Sequence, residues 1–121
     1  MFTILVVEDD HNLGLMIKDI LEFQDYKVIL SKKPLDTIRN LKNNTVDLLL
    51  LDKLISGVDG TRVCMDVRKD PGTSKTPVLM MSALHDAQKS CMNAGATDFI
   101  SKPFEMDIFL KRVNEIICDS K

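Results

Sequence analysis

At 121 residues, with 45% hydrophobic and 28% charged residues, the chain has the size and composition of one soluble globular domain, neither disordered nor fibrous. No run approaches the roughly 20 consecutive apolar residues of a membrane span, and a net charge of −2 with scattered lysines and arginines gives no basic field for nucleic acid phosphates. The amino terminus lacks the charged-then-apolar layout of a signal peptide, so a cytoplasmic single domain over 1–121, without direct nucleic acid or membrane binding, is the expectation.

Thr3-Ile4-Leu5-Val6-Val7 is a short apolar run of the kind buried on both faces of a parallel sheet, and it ends in Glu8-Asp9-Asp10. Leu13, Met16, Ile17, Ile20 and Leu21 recur at helical spacing, predicting an amphipathic helix over about 11 to 24 with Asp10 as its cap. Tyr26 to Leu30 is a weaker strand candidate, and Leu35, Ile38 and Leu41 mark a short helix beginning near Pro34. Val46-Asp47-Leu48-Leu49-Leu50-Leu51 is another buried-strand pattern; it delivers Asp52 at its carboxyl end, before the turn-like Ser56-Gly57-Val58-Asp59-Gly60. Val63 and Val67 stripe a third helix, and the punctuating loop of residues 69–74 follows.

Pro77-Val78-Leu79-Met80-Met81 is a further strand, ending in Ser82. A weakly patterned helix from about 86 to 93 closes at Gly95, and Thr97-Asp98-Phe99-Ile100-Ser101 delivers Lys102. Met106, Phe109, Leu110, Val113 and Ile117 stripe the last helix. Cys64, Cys91 and Cys118 are odd in number and far apart, so they read as small apolar packing residues on helices, and the methionines as core filler. His11 and His85 read as solvated loop or helix-start residues, with no further metal ligands at useful spacing.

Five repeats of strand then helix predict an α/β sandwich with a parallel sheet and right-handed crossovers. Open sheets of this kind place their chemistry outside the carboxyl ends of the strands, so Glu8, Asp9, Asp52, Ser82 and Lys102 gather on one rim. A lone Asp in such a place is more often a cap, and a lone Ser or Lys is usually solvated; together they point elsewhere. Carboxylates from two strands repel unless a cation sits among them, and Mg2+ favours oxygen ligands completed by a phosphate oxygen. The Ser82 hydroxyl and Lys102 ammonium can contact the other oxygens of a phosphoryl group, and a carboxylate is a competent nucleophile, so the set is equipped to accept a phosphoryl group on Asp52.

These residues resemble the receiver domains of two-component response regulators, of the chemotaxis-regulator type. Ile4-Leu5-Val6-Val7-Glu8-Asp9-Asp10 is similar to the first-strand acidic motif, and Leu51-Asp52 with Gly57-Val58-Asp59-Gly60 to the phosphoacceptor strand and loop. Met81-Ser82-Ala83 is similar to the switch motif and Lys102-Pro103-Phe104 to the final one, so the likeness runs over essentially the whole chain. The resemblance implies a flavodoxin-like, five-stranded (βα)5 three-layer sandwich of strand order 2-1-3-4-5. It implies a phosphoacceptor at Asp52 and direct Mg2+ ligation by Asp9, with Glu8 acting mainly through water and the Leu54 carbonyl as another ligand. Ser82 and Lys102 then bind the phosphoryl group, Lys102-Pro103 is a cis peptide, and Phe99 is a rotamer switch moving from exposed to buried, although plain core competes for that residue.

Two positions depart from the pattern: Ser56 stands where a proline is usual, and Lys53 where an apolar residue is common. The implied partners are a sensor histidine kinase or phosphotransfer protein upstream in a phosphorelay, and an effector protein or fused output domain downstream. With no effector domain beyond about residue 118, output is expected through binding or onward transfer of the phosphoryl group. The face formed by the fourth helix, last strand and last helix is where partner binding switches and where a homodimer would form. The chain is thus expected to be a phosphoacceptor and not an enzyme. A degenerate receiver acting as a phosphorylation-independent module is the alternative, opposed by the joint presence of the five rim residues. A flavodoxin-like cofactor-binding enzyme is opposed by the absence of a G-x-G-x-x-G or G-x-x-x-x-G-K-[ST] loop.

Overall fold

The computed structural model describes residues 1–84 and 86–120; His85 lies outside the described residues. Five parallel strands, β1 (Thr3–Val7), β2 (Lys27–Ser31), β3 (Leu48–Asp52), β4 (Val78–Ser82) and β5 (Asp98–Ser101), form one sheet in the order 2-1-3-4-5. Helices α1 (His11–Phe23), α2 (Thr37–Asn43), α3 (Gly60–Lys69), α4 (Ala87–Asn93) and α5 (Met106–Asp119) alternate with them. The flavodoxin-like three-layer arrangement and its strand order are as expected.

The period-two alternation of a strand divides the core into two. Leu5, Val7, Leu49, Leu51, Val78, Met80 and Phe99 face α2, α3 and α4, packing with Leu41, Val63, Val67 and Cys91. Ile4, Val6, Leu48, Leu50, Leu79, Met81 and Ile100 face the opposite way, onto Ile17 and Leu21 of α1 and Phe109, Val113, Ile116 and Ile117 of α5. Burying each such side chain contributes about 1.5–3 kcal/mol, which is why the central strands are apolar on both faces where a one-sided sheet would alternate with polar residues.

The helix ends follow local chemistry. Asp10 caps α1 by accepting from the Leu13 N–H at 3.1 Å, and Asp59 caps α3 by accepting from the Thr61 N–H at 2.9 Å. Gly95 follows α4 with φ of +106°, the left-handed geometry expected just past a helix end.

Several side chains depart from the periodicity. Pro34–Asp36 forms a separate 3-10 turn ahead of α2, with the Pro34 carbonyl accepting from the Thr37 hydroxyl, and this tighter turn leaves Leu35 exposed. Cys64 and Cys91 are buried as expected, but Cys118 is exposed because it sits one residue beyond the buried Ile116-Ile117 edge of α5. Met80 and Met81 fill the core, whereas Met1, Met16, Met65, Met92 and Met106 are exposed, so methionine is not uniformly core filler here.

Register controls what reaches the rim. Val7 lies opposite both Ser31 and Leu51, Asp52 opposite Met81, and Ser82 opposite Ser101, so the carboxyl ends of the strands finish nearly level. After β3 the chain makes a two-residue hairpin, Leu54–Ile55 against Val58–Asp59, before entering α3. Gly60 closes this loop: its N–H donates to the Lys53 carbonyl at 2.5 Å, and a Cβ placed there would stand 2.1 Å from the Asp52 carbonyl oxygen. Gly60→Ala should therefore destabilise the protein by about 1–3 kcal/mol, measured by urea unfolding; an unchanged midpoint would show that the loop retreats without cost.

Candidate functional site

The rim is built from residues one step beyond, or at the last position of, four strands. Glu8 follows β1 and is almost completely buried, its N–H donating to the Ser31 carbonyl at 3.0 Å. Asp52 ends β3 and is also buried. Lys102 follows β5, its N–H donating to the Ser82 carbonyl at 2.8 Å, and the Lys102-Pro103 peptide is cis as expected.

The Lys102 ammonium bridges two strands' carboxylates: Nζ lies 2.6 Å from Asp52 Oδ2 and 2.9 Å from Glu8 Oε1. Asp9 sits at the exposed edge, and one oxygen from each of Glu8, Asp9 and Asp52 falls within 4.8 Å of the others. Among the described residues, three carboxyl groups share this corner with one ammonium, an excess of acid. Among the described residues Glu8 Oε2 is buried without a hydrogen-bond partner, the kind of orphaned acceptor that a cation or its water would satisfy. The donor set is all oxygen, which suits Mg2+ and not the nitrogen and sulfur ligands of zinc.

Electrostatics report the same crowding. Burial pushes the Glu8 carboxyl up to about 7, reinforced by its contact with Asp52 and only partly opposed by Lys102. Burial works against the charge on Lys102, yet its hydrogen bonds to Asp52 and Glu8 outweigh this and raise its pKa.

Ser82 is buried at the end of β4, and its hydroxyl oxygen accepts from the Leu84 N–H at 3.0 Å, turned toward its own loop. Leu54 opens the hairpin with its N–H toward Asp52 Oδ1, at 3.5 Å a marginal contact. Phe99 is buried among the α2–α4 side of the core, so the exposed starting position expected of it is not the one found. The Phe99 carbonyl accepts from Arg112 at 2.6 Å. Lys53 turns away from the acids toward Asp59, 3.6 Å away. His11 is exposed, its Nδ1 3.0 Å from Lys32 Nζ.

One contact had no motif to announce it. The Ser56 N–H donates to Asp9 Oδ2 at 2.7 Å and the Ser56 hydroxyl lies 3.3 Å from the same oxygen, joining the hairpin to the acidic corner. The only sequence signal was that Ser56 occupies a place where a proline, which has no N–H, is usual.

A family model described as response regulator receiver domain matches residues 4–114. The response regulator ArlR of Staphylococcus saprophyticus is 30% identical over 119 residues, covering 97% of this chain and 53% of that protein. The chain thus spans about half the length of that curated relative. The crystal structure of a candidate response regulator from Chloroflexus aurantiacus superposes with a TM-score of 0.91 at 33% identity, covering 97% of this chain and 98% of that one. The receiver domain of a Pseudomonas aeruginosa sensor histidine kinase, solved with magnesium in its active-site cleft, shares the fold with a TM-score of 0.87 at 24% identity, over 96% and 97% of the two chains.

The raised Glu8 pKa has a stability consequence. A carboxyl with a folded pKa above its unfolded value contributes stability at low pH that disappears as pH rises through the folded pKa. Without divalent cations, stability should therefore decline between about pH 5 and pH 8, and Glu8→Gln should remove that part of the decline, gaining on the order of 1–3 kcal/mol at pH 8. Urea unfolding in chelator at the two pH values measures it; parallel pH dependence in both proteins would contradict the assignment.

Proposed function

This chain belongs to the response regulator receiver family, and on that premise we propose that Asp52 accepts a phosphoryl group from a histidine kinase or phosphotransfer protein. The observation that carries this is the meeting of Asp52 with Lys102, 50 residues away in sequence, at 2.6 Å beside the buried carboxyl of Glu8. An Asp52 carboxylate oxygen forms the new bond to phosphorus as the donor's bond to phosphorus breaks, giving an aspartyl phosphate. Lys102 then pairs with a phosphoryl oxygen, and Ser82 exchanges its bond from the Leu84 N–H to donate its hydroxyl to another.

Asp9 and Asp52 would hold Mg2+ directly, with Glu8 through water and the Leu54 carbonyl as a further ligand; the orphaned Glu8 Oε2 and the all-oxygen cluster support that set. When bound, the ion neutralises charge that develops on the transferring phosphoryl group. The chain's own residues supply orientation: Lys102 holds Asp52 Oδ2, and the hairpin after β3 packs against the acid corner.

The unit so formed, over 1–121, acts as a phosphoacceptor whose output is a change in binding, not as a catalyst turning over a separate substrate. Its partners are an upstream kinase or phosphotransfer protein and a downstream effector, separate or fused. No helix among the described residues is long and apolar enough to cross a membrane, and a cytoplasmic location suits these partners. Binding would change at the face of α4, β5 and α5, where a groove of about 370 Å3 is lined by Phe99, Ser101, Pro103, Phe104, Ile108 and Arg112; a homodimer would use the same face.

Asp52→Asn should abolish acid-labile phosphate incorporation from a small-molecule phosphodonor, and excess chelator should do the same to the unaltered protein. Full labelling of the variant would remove Asp52 from its role; full labelling in chelator would remove the cation from its own. An acyl-phosphate mimic such as beryllofluoride with Mg2+ should move the resonances of Ser82, Phe99 and residues 87–117 and tighten target binding, because a ligand shifts an equilibrium by its differential affinity for two states. Unchanged resonances at Phe99 would limit that residue to a packing role.

A further inference from the structure

Ser56 stands at the tip of the hairpin that follows Asp52. Both residues of the two-residue loop have positive φ, +52° at Ser56 and +79° at Gly57, the combination of a type I′ turn. Positive φ is natural for glycine and uncommon for serine. The hairpin is anchored on one side by Ile55, which is fully buried, and on the other by Asp59 at the start of α3. Between these anchors, Ser56 aims its N–H and hydroxyl at one oxygen of Asp9, 47 residues earlier in the chain. A 2.7 Å N–H···O bond to a carboxylate is charge-assisted and among the stronger single contacts available to a loop.

With Oδ2 bonded to Ser56, the Asp9 carboxylate has a set orientation, and one oxygen of this carboxylate lies within 4.8 Å of an oxygen from each of Glu8 and Asp52. We infer that Ser56 is a positioning residue for the acidic corner: it holds Asp9 so that an entering Mg2+ meets an oriented carboxylate. This role presupposes the magnesium site proposed above. Hydrogen bonds to metal-ligating carboxylates orient the ligand, and their loss typically weakens metal binding by about 10–100-fold. Coupling is reciprocal, so if the latched Asp9 favours the cation, the cation must favour the latched hairpin. A serine that merely shaped the turn would show no such response.

The test uses the whole chain with Mg2+ alone as the probe. Ser56→Pro removes the N–H and the hydroxyl and, with φ locked at about −65°, also displaces the positive-φ turn, so hydrogen exchange in the unaltered protein separates the latch from the turn; Ser56→Gly removes only the hydroxyl and tolerates the positive φ. Magnesium affinity by calorimetry should fall about tenfold or more in Ser56→Pro, while Ser56→Gly should keep most of it. In the unaltered protein, hydrogen exchange at the Ser56 amide should slow on adding Mg2+, and Asp9→Asn should abolish the slowing; this needs no hairpin variant to fold. Equal affinity in Ser56→Pro and the unaltered protein, or faster Ser56 exchange with Mg2+, would overturn the positioning role. An unaltered protein that binds no Mg2+ would overturn the magnesium site itself, and this role with it.

Discussion

Two carboxylates at the ends of adjacent parallel strands cannot both stay charged and buried unless a positive group lies between them, and here the Lys102 ammonium does so. Its bonds to Asp52 and Glu8 join the ends of β1, β3 and β5, three strands that are far apart in sequence. One ammonium only partly offsets the acids around it among the described residues: burial first, and then Asp52, raise the Glu8 carboxyl to about 7. The corner is therefore built short of positive charge. Truncating one member of such a buried group leaves its partner uncompensated, which is why the cluster is expected to respond as a unit.

Everything else in the fold serves to hold that corner level. Alternating side chains along β1, β3 and β4 fill two separate cores, so each strand is clamped from both faces and cannot slip by one residue without turning its entire set around. That register places Asp52 beside Met81 and Ser82 beside Ser101. The hairpin after β3 is the exception to this clamping. It stands at the edge, held by Ile55 inside, by Gly60 pressed onto the Asp52 carbonyl, and by Ser56 on Asp9. A loop tied to the acids themselves can feel a change of charge there.

The side bordered by α4, β5 and α5 has a different character. Phe99 lies inward while the Ser82 hydroxyl bonds the Leu84 N–H, so two positions implied to move together are both satisfied by neighbours in this arrangement. Arg112 ties the Phe99 carbonyl to α5 through a 2.6 Å bond, giving the last strand and last helix a shared contact beneath the groove they border.

The sequence by itself determined the alternation of strand and helix, because a five-residue apolar run and a three-and-four spaced stripe are local patterns with local causes. It also determined which chemical groups stand at strand ends: Glu8, Asp9, Asp52, Ser82 and Lys102 are each recognisable from the run that precedes them. The caps at Asp10 and Gly95 were legible for the same reason. What only tertiary structure decided is how those groups pair. Lys102 choosing Glu8 and Asp52, Lys53 turning to Asp59, and Ser56 reaching Asp9 all depend on register and on loop backbone angles that no single segment encodes. Exposure of Leu35, Cys118 and five of the methionines was hidden likewise. A side chain's periodic position states which way it points along its own helix, and only the neighbouring layer decides whether anything covers it.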